Sequence, residues 1–312
     1  LPNRIINLLV DEQWHEQRLD RYLNHQLKDK KREEIRRLIL IGAVRCNKHV
    51  VRQPAELLSK GDMLVVDLQH RHNVILGPPW QQKLAIRIVY IDRDIVVIDK
   101  KEGIASVAMH AKDRSNATHL LKDFISKKYR GKVPVVFIVH RLDRATSGLL
   151  LFARHREAQA KLKEALREKR IERRYLALVS GHLEANAGRF TDKLDTHADN
   201  PRLRTVTEDA EQGENAITDY QVRAHLRGCD LLDLRLQTGR THQIRVQLFH
   251  RGHAILGDQK YVLPNNKNIT NHPQMALHAY MLRLKHPVNG RNLEFEAPLP
   301  DYMSKAIERL KS

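Results

Sequence analysis

Cysteine is scarce: Cys46 and Cys229 are the two cysteines of the 312-residue chain. Two are too few for a disulfide framework or a thiolate zinc site, and they fit a reducing compartment such as the cytoplasm. Long apolar runs are missing as well. None approaches the ~18 residues of a membrane span, and no basic amphipathic helix carries flanking aromatic anchors, so no membrane partner is expected. The first residues show no charged-then-apolar signal pattern. There is no internal repeat and no low-complexity segment. A hydrophobic fraction of 41% and recurrent short runs of Val, Leu and Ile exclude wholesale disorder and allow a core.

Positive charge, by contrast, is in excess. Lys and Arg number 55 against 37 Asp and Glu, a net of +18. That balance points to a polyanionic partner, nucleic acid ahead of an anionic membrane surface. The charge is unevenly placed: Lys28–Arg52 nets +6, Lys100–Arg174 nets +12 and Glu184–Tyr220 nets −5. Any one such run reads equally as a solvated face, but the reversal suggests a basic side and an acidic side.

At ~150 residues per domain the length allows one large domain or two unequal ones. Strand-like residues stop near Gln69–Lys83, where Gly77-Pro78-Pro79 can continue neither a helix nor a central strand. Residues 69–83 therefore read as a linker between a small module, 16–68, and a larger domain, 84–312, with residues 1–15 as an extension. In the module, Leu19, Leu23 and Leu27 predict a helix starting about Arg18. Ile35, Leu38 and Ile39 predict a second from Arg32 to Leu40, capped by Gly42. Ala43–Cys46 and His49–Val51 flank a turn at Asn47-Lys48, and Met63–Val66 reads as a strand. This order resembles the small RNA-binding domain named after a ribosomal small-subunit protein. The resemblance implies phosphate contacts from Arg18, Arg21, Arg36, Arg37, Arg45 and Lys48, although an ordinary surface role suits each one equally.

The larger domain holds the chemistry. His140–Gly148 is a polar loop between the apolar runs Val135–Val139 and Leu149–Phe152, a placement often given to function. Asp143, flanked by Arg141 and Arg144, can stay ionised while partly desolvated and so act as nucleophile or base. The same residues also read as a turn in which Thr146 and Ser147 satisfy backbone groups. A kinase catalytic loop is excluded, because Leu142 interrupts H-R-D and neither the later Asn nor D-F-G follows. Arg240-Thr241-His242-Gln243 sit at a strand-to-helix turn whose first amides favour phosphate. Arg245, one turn on, can point back at a carboxylate, and if buried it needs one. His242, His250 and His253 have no cysteine or carboxylate cluster to complete a tetrahedral set, so no metal is expected. Arg154–Arg174 carries nine bases and four acids on an expected helix striped by Ala158, Leu162, Ala165 and Leu166. Its basic face could follow an RNA backbone or simply be solvated.

Four ordered segments carry a family resemblance: HRLDRATSGLLLFA from His140, ERRYLALVSG from Glu172, LQTGRTHQIRVQLFHRGHAILGDQKY from Leu236 and ALHAYMLRLKHPVNG from Ala276. Together they resemble the RluA-type pseudouridine synthases from about Ile86 to Leu310, and the leading RNA-binding module is a common companion. The resemblance implies an α+β catalytic domain with a mostly antiparallel central sheet. It makes Asp143 the catalytic aspartate, Tyr175 the ring against the target uracil and Arg245 the partner of the carboxylate. His140, Arg141, Arg144, Thr146, Arg240, Thr241, His242 and Gln243 are the expected substrate contacts. The strands are expected at Ile86–Ile91, Ile95–Asp99, Val135–Val139, Leu149–Phe152, Tyr175–Val179 and Leu231–Leu236. One segment departs from the family: Asn-Lys-Pro-x-Gly reads Asp99-Lys100-Lys101-Glu102-Gly103 here, which bears on loop shape.

The implied chemistry breaks the bond from ribose to uracil nitrogen-1, rotates the base and joins carbon-5 to the sugar. It involves no redox change and no net hydrolysis, so neither a redox cofactor nor a metal-activated water is required. A carboxylate could attack the uracil ring or the anomeric carbon, and Tyr175 or Asp143 could take the carbon-5 proton. The target base must leave its stack, at a cost of a few kcal/mol. Large-subunit ribosomal RNA is the expected substrate of a monomeric enzyme, with transfer RNA as the alternative. A non-catalytic RNA-binding or ribosome-assembly factor is the rival class, and the joint presence of Asp143, Tyr175 and Arg245 speaks against it.

Overall fold

The computed structural model describes residues 5–40, 43–47, 49–51, 54–68, 85–108, 110, 113–128, 135–209, 211–263 and 273–311. The expected linker, the Gly42 cap and Lys48 lie outside these residues, as do the side chains of Arg37 and Leu40. The chain divides into two units, Leu1–Leu76 and Gly77–Ser312.

The first unit is an antiparallel sheet carrying two helices. Its elements are β1 (Ile5–Leu9), α1 (Leu19–Gln26), α2 (Arg32–Leu40), β2 (Val44–Cys46), β3 (His49–Val51) and β4 (Met63–Asp67), with strand order β1-β4-β2-β3. Residues 5–9, set apart in the sequence as part of an extension, instead form β1 along β4, with Leu8 opposite Leu64. The leucines of α1 and the isoleucines of α2 meet Val44, Leu64 and Val66 in one core. Asp20, buried at the start of α1, accepts from Arg18 at 2.9 and 3.0 Å and from Arg36 at 3.3 Å. Two of the expected phosphate contacts therefore already share an internal carboxylate. Arg21 and Arg45 are exposed.

The second unit is built on an 11-stranded sheet. In chain order it comprises β5 (Ile86–Ile91), β6 (Ile95–Lys100), α3 (Ala117–Lys128), β7 (Phe137–Ile138), β8 (Ser147–Ala153), α4 (Arg156–Arg167), β9 (Glu172–Ser180), β10 (Ala187–His197) and β11 (Asn200–Thr207). There follow β12 (Glu214–Leu226), β13 (Cys229–Leu236), α5 (Gln243–His250), β14 (Leu277–Lys285), β15 (Asn292–Glu296) and α6 (Asp301–Lys311). The strand order is β11-β10-β12-β13-β9-β14-β8-β6-β5, with β15 on β14 and β7 on β8, and among these strands of the described residues β14 and β8 alone pair in parallel. The fold is α+β with a mostly antiparallel sheet, as expected.

The central strands are covered on both faces, which is why β6 and β8 read as unbroken apolar runs. Val96, Ile98, Leu150 and Phe152 face a core shared with α3, α5 and α6. Ile95, Val97, Leu149 and Leu151 face the opposite core, closed by α4 and β15. At the parallel junction Gly148 has φ +111°, and a Cβ there would lie 2.3 Å from the Ala279 carbonyl oxygen. Only glycine lets β8 approach β14 this closely.

Two expectations are corrected. The basic helix ends at Arg167, and Glu172–Ser180 is strand. Lys169 takes a left-handed φ of +58°, and the amides of Lys169 and Arg170 return to the carbonyls of Leu166 and Ala165. That is a Schellman stop made with lysine where glycine is usual, so the sequence carried no stop signal. The run Val135–Val139 contributes only the two-residue strand β7. Among the described residues, no helix is long and apolar enough to cross a membrane.

Candidate active site

The loop between β7 and β8 is tied down on every side, and Asp143 is carried on it. Ser106 Oγ accepts from the Leu142 amide at 2.9 Å and donates to the Leu142 carbonyl at 2.7 Å. Arg144 and Gly103 exchange bonds, amide to carbonyl and guanidinium to carbonyl, both at 2.8 Å. His140 Nε2 accepts from the Leu151 amide at 3.2 Å. Lys100 is fully buried, and its ammonium donates to the carbonyls of Thr146 at 2.5 Å, Ile104 at 2.8 Å and Lys101 at 3.0 Å. Burial pulls Lys100 down to about 7 against the opposing pull of Asp143. The segment Asp99–Gly103, in which Asp99 and Lys101 stand where the family has Asn and Pro, is thus held by the Lys100 that remains.

Asp143 is joined to α5 through Arg245, whose Nη1 donates to Oδ2 at 2.9 Å. The other side of the same guanidinium is clamped by Asp258, with Nε and Nη2 each donating at 2.7 Å. Arg245 and Asp258 are both buried, whereas the Asp143 side chain keeps 23% of its exposure. Burial alone would lower the Arg245 pKa, but Asp258 and then Asp143 raise it well above the usual value. One cation is thus shared by two carboxylates, one sealed and one open. An oriented, ionised and partly desolvated oxygen is what a carboxylate nucleophile requires.

His242, at a left-handed φ of +58° just before α5, places Nε2 4.0 Å from Asp143 Oδ2. Its Nδ1 meets the Tyr261 hydroxyl at 2.8 Å, and that hydroxyl accepts from the Arg204 amide at 2.9 Å. Burial holds His242 down at about 4, with Asp143 pulling the other way, so it is neutral at ordinary pH. The Arg245 guanidinium lies 5.1 Å from the centre of the Tyr261 ring. Tyr175 stands buried on β9, opposite Leu234 of β13. Burial raises its pKa, Arg173 lowers it and Asp143 raises it again.

The structure brings Asp143, Arg245 and His242 together and sorts the other candidates. Arg141 and Arg144 are exposed beside Asp143, and Arg240 is partly exposed, bonded to Asn215 and Glu214. Thr146, Gln243 and His140 are engaged inside the fold. Thr146 is buried, with its carbonyl on Lys100. The Gln243 amide is spent on Thr238, Arg240, Ile217 and Thr218. The His140 ring is turned inward, and burial pushes it down to about 3. Polar side chains closing a tight turn resemble substrate ligands in a sequence, because both uses need the same donors. Asp258, Tyr261, Lys100 and Arg173 were not singled out. Asp258 and Tyr261 lie inside the GDQKY end of a quoted motif, but nothing in a spacing of thirteen residues from Arg245 announces a clamp.

Two histidine–carboxylate groups with metal-like spacing occur among the described residues: His182, His225 and Asp230, and Asp92, Asp94 and His286. Neither includes a residue of the Asp143 site. In the second, His286 Nδ1 accepts from the amides of Val288 and Asn289, and its Nε2 donates to Asp92, so internal bonds already occupy it.

Residues 94–250 match the family described as RNA pseudouridylate synthase, and residues 17–64 match the S4 domain. A ribosomal large subunit pseudouridine synthase D of Yersinia pestis is 34% identical over 306 residues, covering 95% of this chain and 91% of that one. The protein of the same description in Escherichia coli (strain K12) is 32% identical over 313 residues, covering 97% and 93%. Among solved structures, human RNA pseudouridylate synthase domain containing 4 superposes with a TM-score of 0.60 at 22% identity, over 72% of this chain and 92% of that one.

Proposed function

The chain belongs to the RNA pseudouridylate synthase family, and on that premise we propose that it isomerises uridines of large-subunit ribosomal RNA with Asp143 as the nucleophile. The observation that carries the reading is the asymmetric pair of carboxylates on Arg245. Asp258 fixes the guanidinium, and the guanidinium holds the partly open carboxylate of Asp143.

Asp143 attacks the flipped uridine at the ring or at the anomeric carbon, and the carbon–nitrogen bond breaks. The base turns, carbon-5 bonds to the sugar, the carbon-5 proton is removed and nitrogen-1 is protonated. Asp143 then leaves unchanged. Arg245 keeps the leaving carboxylate anionic and oriented, which favours both attack and release. Exposed Arg141 and Arg144 meet phosphates flanking the target. The module of residues 16–68 adds contacts through Arg21 and Arg45, and the domain of residues 84–312 supplies the chemistry. The large-subunit assignment rests on what the relatives are described as acting on. In this reading the enzyme works as a monomer in the cytoplasm.

The test is tritium release from ribosomal RNA labelled at uracil carbon-5. Release by the wild type and none by Asp143→Asn is expected. Tight RNA binding without release by the wild type would favour a binding factor, and release from transfer RNA alone would move the substrate. Comparing pseudouridine maps of ribosomal RNA with and without the gene then locates the target.

A further inference from the structure

Among the described residues, Arg173 is a charge without a counter-charge. It sits on β9 two residues before Tyr175, so the two side chains share a face of the strand. Both are buried, with Arg173 8% and Tyr175 5% exposed. A guanidinium this deep is ordinarily paired with a carboxylate. Its neighbour Arg174 reaches Asp233 at 3.0 Å, and Arg245 holds two carboxylates. Arg173 forms no ion pair among the described residues. Its Nη2 donates to the Thr238 carbonyl at 3.2 Å, and its Nε is enclosed without a partner. The turn before His242 rests directly on it: a Cβ on Gly239 would lie 2.8 Å from Nη1. A cation is thus sealed under the active-site turn beside the one tyrosine expected to meet the uracil.

We propose that Arg173 is a positioning residue that supplies the counter-charge for Tyr175 when Tyr175, as phenolate, takes the carbon-5 proton. This rests on the reading above that the site isomerises uridine. The carbon-5–hydrogen bond breaks, and its electrons restore the ring double bond. The proton goes to the Tyr175 oxygen while nitrogen-1 takes one from water. The Tyr175 phenol later returns its proton to solvent, so the enzyme ends as it began.

The other groups around Tyr175 fit this division of charge. Asp143 faces it from the catalytic loop and opposes ionisation, and Arg173 opposes that effect from β9. His140, from the same loop, is held neutral by burial and by Arg173 itself. His278 on β14, beside the neighbouring residue Leu176, is kept neutral by burial and bonded to Ser147. β13 presents Leu234 opposite Tyr175. Arg173 is accordingly the positive charge that acts on Tyr175, and an ionised Tyr175 would in turn relieve the burial that depresses Arg173.

The experiment labels tyrosine with carbon-13 at Cζ in the full chain and follows the resonance lost in Tyr175→Phe across pH. Tyr175 should ionise at lower pH in the wild type and in Arg173→Lys than in Arg173→Met or Arg173→Gln, by a unit or more. At neutral pH the neutral variants should release tritium about tenfold more slowly, one pH unit being a factor of ten in the ionised fraction. Their rates should recover toward wild type as pH rises, and Arg173→Lys should keep most of the neutral-pH rate. The same midpoint in all four proteins would overturn the proposal, and so would a loss of rate equal at every pH. A shifted midpoint with an unmoved rate profile would overturn Tyr175 as the base, and the proposal with it. Asp143 is judged separately, by Asp143→Asn.

Discussion

Asp143 and Asp233 of the large unit are both held by arginine, and their surroundings suit them to opposite uses. Asp233 is wholly enclosed and saturated: it accepts from Arg174 on β9 at 3.0 Å, Arg223 on β12 at 2.9 Å and Tyr280 on β14 at 2.8 Å. With Asp233 itself on β13, those bonds pin four adjacent strands. Asp143 has one arginine at 2.9 Å and keeps part of its surface open. The chemistry of the two groups is the same. Reactivity is decided by how many lone pairs the fold leaves unspent and whether a substrate can reach them.

The largest expected effect follows from removing the open carboxylate. Asp143→Asn should lower tritium release by at least ~10³-fold, since it deletes the proposed nucleophile. Its unfolding midpoint in urea should stay close to wild type, because Asp258 still neutralises Arg245. A large loss of stability in this variant would break the comparison, by making Asp143 a staple like Asp233.

Asp258→Asn tests the sealed partner. The bidentate clamp is lost, and Arg245 can then swing with Asp143. A misplacement of ~1 Å is enough to cost ~10²-fold in rate. Stability should also fall by about 3 kcal/mol in urea titrations, as a buried guanidinium loses its main counter-ion. An unchanged rate would show that Asp143 needs no clamp.

Asp233→Asn should do the reverse. It replaces the carboxylate shared by Arg174, Arg223 and Tyr280 with a neutral amide that has one acceptor oxygen instead of two, at a cost of about 2–4 kcal/mol, toward the lower end because Arg223 is half exposed. Tritium release per folded molecule should stay within about twofold of wild type, because Asp233 and Arg174 lie on the opposite face of the sheet from Arg173 and Tyr175. A loss of release comparable to that of Asp143→Asn would mean the two aspartates are not separable.

How much of this was legible beforehand differs between the same regions. The loop around Asp143 could be read, because a charged segment between two apolar strands stands out against them. The pairing of Arg245 could be anticipated from the cost of burying it. The Asp233 staple could not: Arg174, Arg223, Asp233 and Tyr280 are brought together by the register of four strands, and each alone is an ordinary polar residue on a strand. Arg173 was hidden for a related reason, being counted among the bases of an amphipathic helix that in fact stops at Arg167. The small unit was read closely, with α2 at its expected bounds, because its helices follow leucine and isoleucine spacing. Its first strand was missed, since a five-residue edge strand has only β4 to define it.

The most gradual expected effect is on pH, and it too separates the regions. His140 lies on the Asp143 loop and His242 4.0 Å from its carboxylate, and burial holds them neutral down to about 3 and about 4, against an ordinary value of 6.5. The unfolded chain therefore binds protons near pH 6.5 that the folded protein refuses. As pH falls from about 6.5 toward 4, stability should drop by about 1 kcal/mol per unit for each histidine. Above pH 6.5 both states hold neutral rings, and this slope vanishes. The groups bonded to Asp233 include no histidine: they are two arginines and Tyr280, which burial and Asp233 push up to about 12. His140→Asn should consequently flatten the acid slope measured by urea unfolding at pH 6.5, 5.5 and 4.5, whereas Tyr280→Phe should lower stability by a similar amount at all three. Hydrogen exchange at pH 4.5 should then show the amide of Leu151, which His140 accepts, opening before the β9–β13 amides around Asp233. If both regions loosened together, the acid sensitivity would belong to the whole sheet and not to the Asp143 loop.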